Sequence, residues 1–111
     1  MVHGDYGPQN LLLDTATWEV SALLDWEFAH EADPVEDLAW AEWIVRMHHP
    51  EAAAAIPALH ESYGWWPGWT VRRAAMLDKC ATLEDVCRRR GLDEAVVMWR
   101  SRTAITRAWT E

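Results

Sequence analysis

Apolar and polar positions divide the chain into a short alternating part and a long helical part. Residues 10–13 form one brief apolar run and residues 19–24 a second. Between them, Asp14-Thr15-Ala16-Thr17 has turn chemistry, so the pair predicts an antiparallel hairpin preceded by a loop. At Asp33-Pro34-Val35-Glu36 the signal changes to a helix start. Asp33 is placed as cap, Pro34 at the first helical position and Glu36 as the far member of a capping box. This helix is expected to reach about residue 48. Val35, Leu38, Trp40, Trp43, Ile44, Val45 and Met47 cover most of its circumference, which predicts extensive burial. Glu42 and Arg46 are spaced for an ion pair on the exposed face that remains.

Residues 51–63 read as a second, weaker helix, interrupted at Pro57 and stopped by Gly64. "GWWPGW" is then a loop. Thr70 is read as the cap of a third helix to about residue 90, stopped by Gly91, with Met76, Cys80, Leu83 and Cys87 as its stripe. Asp93 caps a last helix to about residue 109, with Met98, Ile105 and Trp109 on one side. The expected class is α+β and mostly helical: a short β-hairpin followed by about four helices.

Composition narrows this picture. With 111 residues, one domain over 1–111 and one modest core are expected. A hydrophobic content of 50% argues against disorder. A formal charge of -8 argues against nucleic acid or an anionic membrane as partner. No apolar run approaches the roughly 20 residues of a membrane span. No basic segment leads into an apolar one at the N-terminus, so a cytoplasmic location is expected. Cys80 and Cys87, seven residues apart on one helix, would lie about 10 Å apart at 1.5 Å per residue. That exceeds the reach of a disulfide, so they read as small core residues.

The chemistry concentrates near the start. His3-Gly4-Asp5 is followed by four residues and then Asn10. This is the spacing of the H-R-D, four residues, N loop of protein kinases, with Gly4 in place of the arginine. Asp25 closes the second predicted strand. In an antiparallel pair it returns to the end where Asn10 opens the first, with Asp5 in the loop leading there. Phosphoryl transfer calls for such groups. Mg²⁺ takes oxygen ligands, often one or two carboxylates, and an acceptor-only group must orient and deprotonate the attacking hydroxyl.

"HGDYGPQNLLLD" followed by "ALLDWEFAHEADPVEDLAW" resembles the C-terminal lobe of the aminoglycoside phosphotransferase and choline kinase-like family. The resemblance implies the C-lobe of a protein-kinase-like fold and ATP-dependent phosphorylation of a small-molecule hydroxyl. It implies Asp5 as catalytic base, Asn10 and Asp25 as Mg²⁺ ligands, and ATP with Mg²⁺ as cofactors. His3 is implied as a residue bracing the loop, and Glu27 matches the last position of the family's D-W-E motif as an accessory group. Motif matching covers residues 2 to 40. The region 1–33 is read as catalytic loop and metal-binding hairpin, and 34–111 as a helical subdomain.

The family's N-terminal nucleotide lobe is expected to be absent. No glycine-rich G-x-G-x-x-G loop occurs, and the only lysine, Lys79, falls mid-helix. The chain alone is therefore expected to be inactive. Uncovered apolar surface would pair it with a second copy of itself or with a separately encoded N-lobe. The alternative is a catalytically silent remnant serving as a binding or oligomerisation module.

Other residues admit plainer roles. Asp33 and Asp37 read as helix-start charges, with the resemblance adding that Asp37 braces the loop. His30, His48, His49 and His60 lack the spacing of a zinc site and read as surface or helix-end residues. Arg88, Arg89 and Arg90 complement a helix C-terminus. Trp65, Trp66 and Trp69 either line a pocket for a cationic or apolar substrate or pack the helical part, and packing is the commoner outcome.

Overall fold

The computed structural model describes all residues from Met1 to Glu111. The fold is α+β and mostly helical, with a two-stranded antiparallel hairpin and four α-helices. The chain divides into two compact units, Met1–Trp66 and Pro67–Glu111.

In the first unit, strands β1 (Leu11–Leu13) and β2 (Val20–Leu23) pair as Leu11↔Leu23, Leu12↔Ala22 and Leu13↔Val20. The register slips between Leu12 and Leu13, leaving Ser21 as the extra residue of a bulge. The turn is built as its residues suggest. Oδ1 of Asp14 accepts the Ala16 N–H at 2.8 Å, and its carbonyl accepts the Trp18 N–H at 2.7 Å. Ahead of β1, Pro8–Asn10 forms one 3-10 turn, so Asn10 belongs to that turn and not to the strand.

Helix α1 spans Val35–His48. Pro34, not Asp33, holds the N-cap position, while Oδ1 of Asp33 accepts the Val35 N–H at 2.9 Å. Glu36 does not complete a capping box, because its carboxylate lies 2.9 Å from Nε2 of His30. Residues Leu38 to Ile44 are buried without a break, and Trp40 and Trp43 stack with centroids 4.4 Å apart. Glu42 is among them at 0% exposure, not on a solvent face. Its Oε1 meets Nε of Arg46 at 2.9 Å and its Oε2 meets Nε2 of His60 at 2.8 Å. His60, expected at the surface, is fully buried and stacks on Trp66.

The weak second helix resolves into a 3-10 segment, Pro50–Ala55, and helix α2, Ile56–Tyr63. Pro57 sits in the first turn of α2, where its missing N–H costs nothing. Gly64 ends the helix in the left-handed conformation, φ 86°.

The second unit is a helical hairpin of α3 (Trp69–Arg89) and α4 (Asp93–Ala108). Gly68, not Thr70, holds the N-cap position of α3. Gly91 turns the chain at φ 70°, and the short link makes the helices antiparallel neighbours. Met76 and Cys80 are buried as the stripe predicts, and both cysteines are free. The α4 stripe is different from the expected one. Val96 and Thr106 are buried, while Met98 and Ile105 are 39% and 45% exposed. Arg72, 1% exposed, donates to the Pro67 carbonyl at 2.7 Å and pairs with Glu111 at 2.8 Å. Arg88 and Arg89 pair with Glu84 and Asp85 one turn back. No helix is long and apolar enough to cross a membrane.

Candidate active site

The loop from Val2 to Asn10 is fixed by the residues around it. Val2 bridges to His30 through paired backbone bonds of 2.8 and 3.2 Å. Gly4 then takes φ +87°, and a Cβ there would stand 2.3 Å from the Phe28 carbonyl oxygen. Both the dihedral and the crowding require glycine, which accounts for Gly4 where protein kinases carry arginine.

Helix α1 grips this turn from its first residues. Oδ2 of Asp37 accepts the His3 N–H at 2.7 Å, and Oδ1 accepts the Gly4 N–H at 2.9 Å. Asp37 thus braces the loop in addition to its place near a helix N-terminus. His3 is buried, and its Nδ1 accepts the Asp5 N–H at 3.1 Å. Its Nε2 therefore carries the proton and donates to the Leu24 carbonyl at 2.7 Å. Trp26 meets the same ring edge-on at 4.7 Å. With its accepting nitrogen engaged and its other nitrogen bonded to backbone, His3 holds the loop and is not placed to act as base.

Asp5 and Asn10 are in direct contact. Nδ2 of Asn10 donates to the Asp5 carbonyl at 2.8 Å and lies 3.3 Å from Oδ2 of its carboxylate. Oδ1 of Asp5 accepts the Nε1–H of Trp40 at 3.1 Å. Because Nδ2 faces Asp5, Oδ1 is the atom of the Asn10 amide left for a ligand. The Asn10 carbonyl accepts the Leu24 N–H at 2.8 Å, which places Asp25 one residue beyond the Asn10 partner. Asp25 adopts φ 66°, rare for a residue with a side chain. Such conformations persist where surrounding structure enforces them, often at functional sites. Its carboxylate is exposed and engaged by no other side chain.

The remaining expected residues stand apart. Glu27 is exposed in the turn closed by the Ala29 N–H on the Trp26 carbonyl, with no bond to Asp5 or Asn10. Trp65 and Trp66 are 42% and 45% exposed beyond α2. Trp69 opens α3, with Arg72 over its ring at 5.3 Å.

Reading the sequence alone missed Trp40 and the Glu42–His60 pair. Trp40 had a signal: it is three residues from Asp37, on the same helix face. No group of three or more His, Cys, Asp or Glu side chains is assembled to hold a metal ion. Beside the loop lies an apolar pocket of about 220 Å³ lined by Tyr6, Pro8, Leu11, Ala41, Val45 and Ile56, among others.

The loop thus carries an aspartate bonded to an asparagine and is joined by a hairpin to a second aspartate. Residues 1–75 match the model of the phosphotransferase enzyme family, and the chain belongs to that family. Comparison with curated proteins and with solved structures gave no match.

Proposed function

We propose that this chain carries the acceptor-activating and metal-holding part of an ATP-dependent phosphotransferase that acts on a small-molecule hydroxyl. Family membership supports the reaction class. The observation that carries the residue roles is the Asn10 amide, whose nitrogen is committed to Asp5. Its free carbonyl oxygen and the open Asp25 carboxylate are hard oxygen donors on adjoining segments, and they suit Mg²⁺. That ion is satisfied by one or two carboxylates, water and substrate phosphates, so a three-residue cage is not required. Held by Asn10 and Asp25, Mg²⁺ would supply charge neutralisation for the transferred phosphate.

Asp5 is the base. It accepts the proton of the substrate hydroxyl as that oxygen bonds to the γ-phosphorus. The bond from the γ-phosphorus to the bridging oxygen breaks, and ADP leaves with its electron pair. Asp37 and His3 keep the loop backbone in place through this exchange, since both are bonded to it.

Calorimetry of Mg²⁺-ATP with the 111-residue chain tests this reading. Binding is expected, abolished in Asp25→Ala and retained in Asp5→Ala. Binding that is indifferent to Asp25→Ala would remove the metal assignment.

A further inference from the structure

The Asp5 carboxylate is held at both oxygens, and one holder lies outside the loop. Asn10 approaches Oδ2 at 3.3 Å, but Oδ1 accepts its bond from Trp40, 35 residues further along the chain. Trp40 is 5% exposed, and its indole lies 7° from parallel with that of Trp43, itself 1% exposed. The donor is therefore set in the packed part of α1. Asp37, on the same face, holds the loop backbone. One helix face thus fixes both the turn and the direction of the carboxylate.

An ionised carboxylate has about four acceptor directions. One indole N–H and one amide N–H leave each oxygen with a direction open to a substrate hydroxyl. Direction matters, because misplacing a reacting group by about 1 Å can cost about a hundredfold in rate. We infer that Trp40 is a positioning residue: its indole N–H selects the Asp5 rotamer and so aims the base at the acceptor hydroxyl. The inference rests on Asp5 being the base, but the bond can be tested without turnover.

Trp40→Phe keeps an aromatic ring for the stack and removes the N–H donor together with part of the indole's volume. NMR couplings that report χ1 of Asp5 are expected to show one rotamer in the wild-type chain and an average in Trp40→Phe. A single, unchanged rotamer in the variant overturns the inference. Should Trp40→Phe fail to fold, the Trp40 indole N–H resonance in Asp5→Ala decides. It is expected to move, and an unmoved resonance overturns the inference. In a phosphotransfer assay with the N-lobe supplied separately, Trp40→Phe is expected to lower kcat about tenfold to a hundredfold, with KM within about twofold. Raised KM at unchanged kcat counts against positioning. A wild-type chain that binds no Mg²⁺-ATP defeats the phosphotransferase reading instead, and the couplings still decide what Trp40 does.

Discussion

The two units bury different things. In Met1–Trp66 the buried set includes His3, Asn10, Glu42 and His60 beside the indoles of Trp40 and Trp43. In Pro67–Glu111 it is Pro67, Met76, Cys80 and Val96, with Arg72 and Thr106 as the polar members. The first unit bends its backbone to do this, with Gly4, Trp18 and Asp25 all at positive φ. The second is two regular helices with one glycine turn between them. The family match covers the whole first unit and ends inside α3. Polar burial and unusual dihedrals cost stability, so a chain keeps them where chemistry needs fixed polar groups. The first unit devotes more of its fold to fixing polar groups and bent backbone, and the second to helix pairing.

The largest expected effect is at Glu42. Glu42→Ala removes the carboxylate that Arg46 and the fully buried His60 both meet, and breaking a buried pair costs about 3–5 kcal/mol. The matching change in the second unit, Glu84→Ala, removes partly solvated pairs with Arg88 and Arg100 and is expected to cost at most about 1 kcal/mol. Urea denaturation measures both, and residue-resolved hydrogen exchange assigns each loss to its unit. Equal costs would erase the contrast.

Next come the glycines. Gly4 and Gly91 share the left-handed conformation, at φ +87° and +70°. They differ in surroundings. A Cβ on Gly4 meets backbone at 2.3 Å, and one on Gly91 meets nothing within 4 Å. Gly91→Ala should cost the dihedral penalty alone, about 1–2 kcal/mol. Gly4→Ala should cost about 3 kcal/mol or more, since the Phe28 turn must also move. Denaturation midpoints at constant slope read the difference. Similar values for the two variants would mean that the loop is looser than its bonds imply.

These comparisons also show what the sequence could convey. The hairpin and the helix stops at Gly64 and Gly91 rest on local turn and cap chemistry, and they stand where that chemistry puts them; α1 starts one residue later than its cap pattern predicts. The His3–Asn10 loop was legible from residue type and spacing. Glu42 was not. Its spacing to Arg46 is that of any surface pair, and only His60, 18 residues away, makes it a buried one. The α4 face was misjudged for a similar reason. Met98 and Ile105 are more apolar than Thr106, yet Thr106 can be buried because its hydroxyl bonds the Arg102 carbonyl at 2.8 Å. Apolarity alone does not choose the face; the pairing with α3 does. Trp40 fell between these cases. Its burial was foreseen, while its N–H bond to Asp5 depends on where the loop folds back over α1.

The smallest effect sharpens the contrast from the side of the second unit. Burial pushes the Cys80 thiol above its ordinary value of 9.0, against weaker opposing bonds from Thr106 and Thr103. The folded chain therefore keeps this proton at a pH where the unfolded chain releases it. The stability it contributes is fully present below 9.0 and is lost as pH climbs through the folded value. The slope cannot exceed about 1.4 kcal/mol per pH unit for one proton. Denaturation curves for wild type and Cys80→Ala between pH 8 and pH 10 should therefore converge as pH rises, because the variant has no thiolate to bury. Cys87, half-buried toward the end of α3, supplies the internal control: it should be alkylated faster than Cys80 across the same range. Parallel denaturation curves, or equal alkylation rates, would mean that the second unit opens readily enough to wet its own core. In that case its regular helices would be the looser part of the molecule, and the strained, polar first unit the firmer one.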